Sequence, residues 1–478
     1  MFQDLEPYDA YCAPSSPWIP AFPREWMVAP GAGVLSEVRD RNDGLRETTV
    51  LSLSYGRVVV KPSDKLHGLV PASFETYQIL EPGDIVFRPT DLQNDQKSLR
   101  VGAVEARGII TSAYIGLRPR GIDPRFAFLY LSALDHLKVF YGMGSGLRQN
   151  IDFRNFKRLP IPVPSEAEQA AIVTYLAHAN QRINRAIAAK RRLISLFNEQ
   201  KRAVTSEAMR GALTSTAGLV DSGVQHIGRI PSHWRVDRLG WHIDLLAGFP
   251  FESSGFVTGG DGVRLLRGVN VGVDGVVWND TVAWPTETLN GTSAFSLAEG
   301  DLVLGLDRPV IRAGVRIARI AAADVPSLLV QRVARLRARS SLDREFLRLV
   351  LADRGFTDYL APIFTGISVP HLSPTQVRDF RVAIPPIDEQ REIVTHIAEA
   401  HLRLDSAGEV ARQEIRLLEE FRVRLAADVV TGQIDVRSIA AELPAIEIAE
   451  MFSASVGTED ADDADDGETA DDDEMEEE

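Results

Sequence analysis

The 478-residue sequence contains one cysteine, Cys12, so an internal disulfide is impossible and the chain suits a reducing compartment. No apolar run reaches the roughly 20 residues of a membrane-spanning helix. The opening Met1-Phe2-Gln3-Asp4-Leu5-Glu6 is acidic, without the basic-then-apolar order of a signal peptide. A cytoplasmic protein with no membrane partner is expected. Catalytic signatures are missing too: there is no G-x-x-x-x-G-K-[ST] phosphate loop, no H-E-x-x-H zinc helix and no cysteine pair for a metal. Nine histidines are scattered, and His178, His396 and His401 fall on helical stretches where solvation or packing accounts for them. The Asn/Asp-Pro-Pro-aromatic motif of base-methylating enzymes is absent, since Ile384-Pro385-Pro386-Ile387 does not match it. The run Phe140-Tyr141-Gly142-Met143-Gly144-Ser145-Gly146 is rich in glycine like a methyl-donor loop. Such a loop follows the first strand of a βαβ unit, whereas this one follows a helical patch and closes a domain.

Charge of one sign is concentrated at the end. Residues 459–478 carry 14 acidic side chains and no basic ones, which leaves 53 acidic against 52 basic residues in the rest. A block of this kind reads as a disordered tail, taken here as 453–478. The body is therefore near neutral, and a nucleic-acid partner is neither argued nor excluded by charge.

The chain is written twice. Glu168-Gln169-Ala170-Ala171-Ile172-Val173 returns 221 residues later as Glu389-Gln390-Arg391-Glu392-Ile393-Val394. Pro23-x-x-Trp26-x-Val28 is echoed by Pro231-x-x-Trp234-x-Val236, and Gly83-Asp84-Ile85-Val86 by Gly300-Asp301-Leu302-Val303. A repeat this long means a duplicated domain-plus-helix module rather than a solenoid, whose units span about 20–50 residues. The two globular segments, 15–160 and 225–383, show short β-type runs punctuated by Gly, Pro and Asp. Each is followed by a proline-rich hinge, Leu159-Pro160-Ile161-Pro162-Val163-Pro164 and Val382-Ala383-Ile384-Pro385-Pro386, expected to be a stiff connector.

Long helices are expected over 165–213 and 387–437, the first opened by a capping box of Ser165 and Glu168. Ile172, Leu176, Ala179, Ile183, Ala186, Lys190, Leu193 and Phe197 fall at 4-3 spacing. So do Ile393, Ile397, Ala400, Leu404, Ala407, Ala411, Glu414 and Leu418, continuing through Phe421 and Leu425. That period describes a coiled-coil seam, and two lone seams are best satisfied by pairing with each other. The fold class is thus α+β: two pseudo-symmetric mixed α/β domains, joined by two long antiparallel coiled-coil helices, with a disordered acidic tail.

With duplication, hinges and helix starts in place, residues 20–437 resemble the specificity subunit of type I restriction–modification systems. The resemblance rests on the repeated Ile-Pro-x-Pro or Ile-Pro-Pro hinge followed by Glu-Gln-x-x-Ile-Val. It rests also on Ile227-Gly228-Arg229-Ile230-Pro231-Ser232-His233-Trp234 and Gly248-Phe249-Pro250-Phe251-Glu252-Ser253-Ser254. The first domain opening, Phe22-Pro23-Arg24-Glu25-Trp26, lacks the Ile-Gly step, and the acidic tail is not a family feature. The resemblance implies a non-catalytic subunit with two target recognition domains, each reading half of a split site in double-stranded DNA. It implies as partners two adenine methyltransferase subunits and the motor-nuclease restriction subunit, which hold the S-adenosylmethionine, ATP and Mg²⁺. Two alternatives are a self-contained DNA methyltransferase, which would bind S-adenosylmethionine alone, and a non-DNA coiled-coil scaffold with two ligand-binding domains.

Base edges are read by Arg, Asn, Gln and Lys, and phosphates also by backbone N–H groups. In the first domain the candidates are Gln93, Asn94, Gln96, Lys97 and Arg100, then the glycine loop with Gly144, Arg148 and Gln149. In the second they are Arg264, Arg267 and Asn270, then Arg308 and Arg312, then Gly366 and Ser368. No catalytic, cofactor or metal residue is expected.

Overall fold

The computed structural model describes residues 5–13, 20–54, 56–62, 73–90, 92, 95, 98–143, 150–213, 218–258, 262–273, 275–288, 291–364 and 370–444. It is mixed helix and sheet, in two compact units: residues 1–192 with 411–478, and residues 193–410. The acidic tail lies outside the described residues.

The first unit is built on a four-stranded antiparallel sheet in the order Leu35–Glu37, Ile115–Pro119, Ile85–Phe87, Val101–Ala103. The Gly83-Asp84 step starts its central strand. Gly83 takes φ +93°, open to glycine at little steric cost. The Asp84 carboxylate then accepts from Glu81 N at 2.9 Å and from Arg118 Nε and Nη2 at 2.7 and 2.6 Å. That bidentate pair satisfies a buried carboxylate and ties two neighbouring strands. Over the sheet lies the helix Pro124–His136, capped by Asp123 and burying Phe126, Leu129, Tyr130 and Leu134.

The second unit repeats the plan. Its sheet order is Ile243–Ala247, Val333–Ala338, Leu302–Gly305, Ile317–Arg319. Gly300 takes φ +86°, and Asp301 accepts from Ala298 N at 2.9 Å and from Arg337 Nε and Nη2 at 2.5 and 2.8 Å. A helix Arg344–Ala352, capped by Asp343, covers it. A second small sheet joins Ala283–Trp284, Val263–Leu266 and Ser327–Leu329, the last two parallel.

The hinges are not free connectors. Pro160–Val163 pairs antiparallel with Met27–Pro30, and Arg381–Ile384 with Arg235–Arg238. In the first, Pro160 and Pro162 alternate along a two-stranded ribbon, so their missing N–H groups share one edge and the ladder survives on the other. The recurring Trp and Glu-Gln are one device. Trp26 Nε1 donates to Glu168 Oε1 at 2.9 Å, and Trp234 Nε1 to Glu389 Oε1 at 3.0 Å. Gln169 accepts from Asp123 N at 2.7 Å and donates to Pro164 O at 2.9 Å; Gln390 accepts from Asp343 N and donates to Pro385 O at the same distances. Each Gln thus locks hinge, long helix and helix cap together with a single side chain.

The long helices span Glu166–Met209 and Ile387–Val430. In the first unit Lys190 meets Glu414 at 2.6 Å and Arg422 reaches Asn184 at 3.4 Å; in the second Lys201 meets Asp405 at 2.7 Å and Thr205 meets His401 at 3.0 Å. Within each unit the stretches therefore run antiparallel, and the two charged breaks in the apolar seams are partners. The expected seam drifts, however. After Ile183 the buried row steps to Ile187 and not to Ala186, and on the second helix Arg422 replaces Phe421. Leu193 and Phe421 end 37% and 40% exposed. A straight helix turns every 3.6 residues, so a strict 3.5 seam slips by about 20° per heptad and a four-residue step resets it.

Both helices stop earlier than the sequence suggests, because Gly211 (φ +88°) and Gly432 (φ +74°) follow within two residues of their ends. A Cβ on Gly432 would lie 2.3 Å from Pro23 Cδ, and one on Gly211 2.3 Å from Pro231 Cγ. Gly432→Ala should therefore cost more than Gly44→Ala, which has the same φ of +74° but nothing within 4 Å of the added carbon. The left-handed backbone accounts for about 1–3 kcal/mol in both; an equal loss in thermal or urea unfolding would show that the Pro23 contact is unimportant.

Candidate nucleic-acid interface

The structure separates the candidate residues into three groups. Gln93, Asn94, Gln96, Lys97, Gly144, Arg148, Gln149, Gly366 and Ser368 lie outside the described residues. Arg100 and Asn270 are internal. The Arg100 side chain is fully buried, with Nη1 donating to Thr90 O at 2.6 Å, Nη2 to Asp95 O at 2.5 Å and Nε to the Tyr141 hydroxyl at 3.2 Å. It holds the polar loop from the inside, so it is a support for that loop and not a surface contact. Asn270 accepts from Arg267 N at 3.0 Å and donates to Val277 O at 3.0 Å, closing a turn from within. Short polar side chains are used this way because they satisfy loop backbone groups that no strand reaches.

The third group is accessible. Arg264 packs over the Trp278 ring at 4.4 Å and donates to Ala323 O at 2.6 Å, on a flank of the unit. Arg312 is exposed between the paired segments Val310–Ile311 and Gly314–Val315. Arg267 and Arg308 come together in a groove of about 840 Å³ in the second unit. The sequence did not point to the other groove residues that matter: Arg316, Gln331 and Arg332, with Asp307 between the arginines. They are far apart in sequence and read as strand ends; only the sheet topology assembles them. A usable signal was Gln331-Arg332, a polar pair interrupting two apolar runs.

Four arginines and two carboxylates, Asp307 and Glu252, line this groove, and a third carboxylate, Asp280, pairs with Arg267. Arg316 is a strut: Nε donates to Val271 O at 3.0 Å and Nη1 to Asp307 O at 3.2 Å. Burial, then the like charge of Arg308, lowers its pKa below the usual guanidinium value, though an arginine stays charged. Arg267 Nη2 is anchored on the Asp280 carboxylate at 2.6 Å. Phe251 and Phe256 add apolar wall, and Val269 projects 67% exposed from the turn that Asn270 closes. Guanidinium forks, a side-chain amide and an exposed methyl-bearing side chain are the chemistry that reads major-groove base edges. Among the described residues no cluster of His, Cys, Asp and Glu is placed to hold a metal ion, and no helix is long and apolar enough to cross a membrane.

Residues 107–190 match the type I restriction modification DNA specificity domain. The type I restriction enzyme MjaVIII specificity subunit of Methanocaldococcus jannaschii is 25% identical over 336 residues, 70% of this chain and 76% of that protein. The EcoAI specificity subunit of Escherichia coli is 32% identical over 171 residues, 36% of this chain and 28% of that protein. A chain from a solved structure on complex assembly and conformational transition of the type I R-M system shares the fold. Its TM-score is 0.54 at 16% identity, covering 86% of this chain and 98% of that one. The chain is thus similar in sequence and in fold to specificity subunits of type I restriction–modification systems.

Proposed function

We propose that this chain is the non-catalytic DNA-reading subunit of a type I restriction–modification complex and recognises a split site in double-stranded DNA. The observation that carries this reading is the arginine-rich groove of the second unit, set on a sheet whose turn, ion pair and helix cap recur in the first unit. The duplicated devices support two pseudo-symmetric target recognition domains, 15–160 and 225–383, each reading one half-site. The antiparallel pairing within each unit supports a coiled-coil spacer made by the two long helices. Within the second unit, the second of those helices leaves Leu402 72% and Val410 55% exposed. Two adenine methyltransferase subunits dock on this surface in our reading, and a motor-nuclease subunit joins for restriction. S-adenosylmethionine, ATP and Mg²⁺ belong to those partners, and the complex works in the cytoplasm.

Selection from a pool of randomised duplexes tests this. The chain co-purified with its methylation subunit should enrich two short fixed sequences separated by a constant gap. Enrichment of one uninterrupted motif, or of none, would contradict it.

A further inference from the structure

Among the described residues four non-glycine positions have positive φ: Leu45, Lys138, Arg308 and Arg332. Two of the four are arginines on the same groove, at φ +43° and +71°. Folding alone would favour glycine at both, because a side chain in the left-handed region is strained. The surrounding backbone holds them there. Arg332 O accepts from Leu306 N at 2.8 Å, Gln331 N donates to Phe249 O at 2.9 Å, and Arg308 N donates to Pro370 O at 2.8 Å. Both arginines therefore stand on braced main chain, with exposed side chains. Asp307 Oδ1 lies 2.6 Å from His371 Nδ1 and 3.5 Å from Arg332 Nη1, and that same Arg332 nitrogen is 3.3 Å from His371 Nδ1.

Resting on the reading that this groove faces DNA, we infer that Arg308 and Arg332 each read a guanine of one half-site. Asp307 is the positioning residue for Arg332. The chemistry is specific. A guanidinium fork matches guanine O6 and N7 with two parallel N–H donors, a geometry that no other base edge offers. A fork discriminates only if its direction is fixed beforehand. The strained backbone fixes where each side chain leaves the protein, and the Asp307 carboxylate, itself held by His371, limits the swing of Arg332. Arg308 has its own backbone brace on Pro370 O, separate from the Leu306 and Phe249 contacts that hold Arg332 and its neighbour, so the two readings are separable.

The test uses the full chain in complex with its methylation subunit, and duplexes carrying 7-deazaguanine at each half-site guanine in turn. That analogue removes N7 and keeps base pairing. The unaltered complex should lose on the order of 10-fold in affinity at two positions. Arg332→Gly should abolish the loss at one position and Arg308→Gly at the other, while the melting temperature stays unchanged or rises because glycine relieves the strain. Asp307→Ala should weaken discrimination at the Arg332 position alone, and Asp307→Asn, which keeps an acceptor, should restore most of it. A half-site without guanine, or variants that keep full discrimination at every guanine, would overturn the assignment while leaving DNA reading intact. An unaltered complex that prefers no sequence would overturn the DNA-facing reading of the groove itself.

Discussion

Exchanging residues 225–383 for the matching segment of a related specificity subunit is expected to replace one half of the recognised site and leave the other unchanged. The second unit carries its own sheet, groove and hinge brace, so the elements that orient the groove travel with the segment. The links across the downstream splice include Trp234 Nε1 to Glu389 and Asp343 N to Gln390, with His233 to Glu389 and Gln390 Nε2 to Ser341 O beside them. A donor segment that keeps a tryptophan at the first place and a free N–H at the second should seat on the host helix. Each mismatched base pair costs about 1–3 kcal/mol, so three or four altered bases should move the preference by many orders of magnitude. Alteration of both half-sites would mean that the segments do not read independently.

Arg100→Ala should unfold rather than unread. The guanidinium satisfies the carbonyls of Thr90 and Asp95 from a fully buried position, and Tyr141 packs against it at 5.1 Å. Its removal takes the guanidinium donor from both carbonyls, leaves Asp95 O with the Tyr141 hydroxyl, and opens a cavity, a loss of about 3–5 kcal/mol. In a unit of this size that lowers the melting temperature by on the order of 10 °C. The matched control is Arg308→Ala, whose exposed side chain should leave stability within about 0.5 kcal/mol. Weaker DNA binding by Arg100→Ala with an unchanged melting temperature would restore Arg100 as a contact.

Arg100 also shows where sequence reading stops. Its neighbours Gln93 to Lys97 make a polar cluster, and a polar cluster gives no sign of which member turns inward. The same holds for Asn270, which turns inward three residues after the groove-lining Arg267. What could be read was whatever repeats: Gly83 and Gly300, Asp84 and Asp301, Glu168-Gln169 and Glu389-Gln390 recur because one arrangement of turn, ion pair and clamp is used twice. In sequence the proline hinges look like connectors because proline opposes helix and central strand; a two-stranded ribbon tolerates it on its outer edge, and only the partner Met27–Pro30 reveals that. The helix seam was legible through its period but not its drift, which depends on how straight a helix of 44 residues stays. Arg316 and Arg332 meet Arg308 through sheet pairing, a relation that spacing along the chain does not contain.

In the reading proposed above, this chain chooses where methylation occurs and its methylation subunit supplies the chemistry. Mapping modified adenines in a cell that expresses the methylation subunit, with and without this chain, tests it most directly. The account predicts modification confined to one split sequence when the chain is present and none when it is absent. Methylation at the same sites without the chain, or by the purified chain alone, would contradict it.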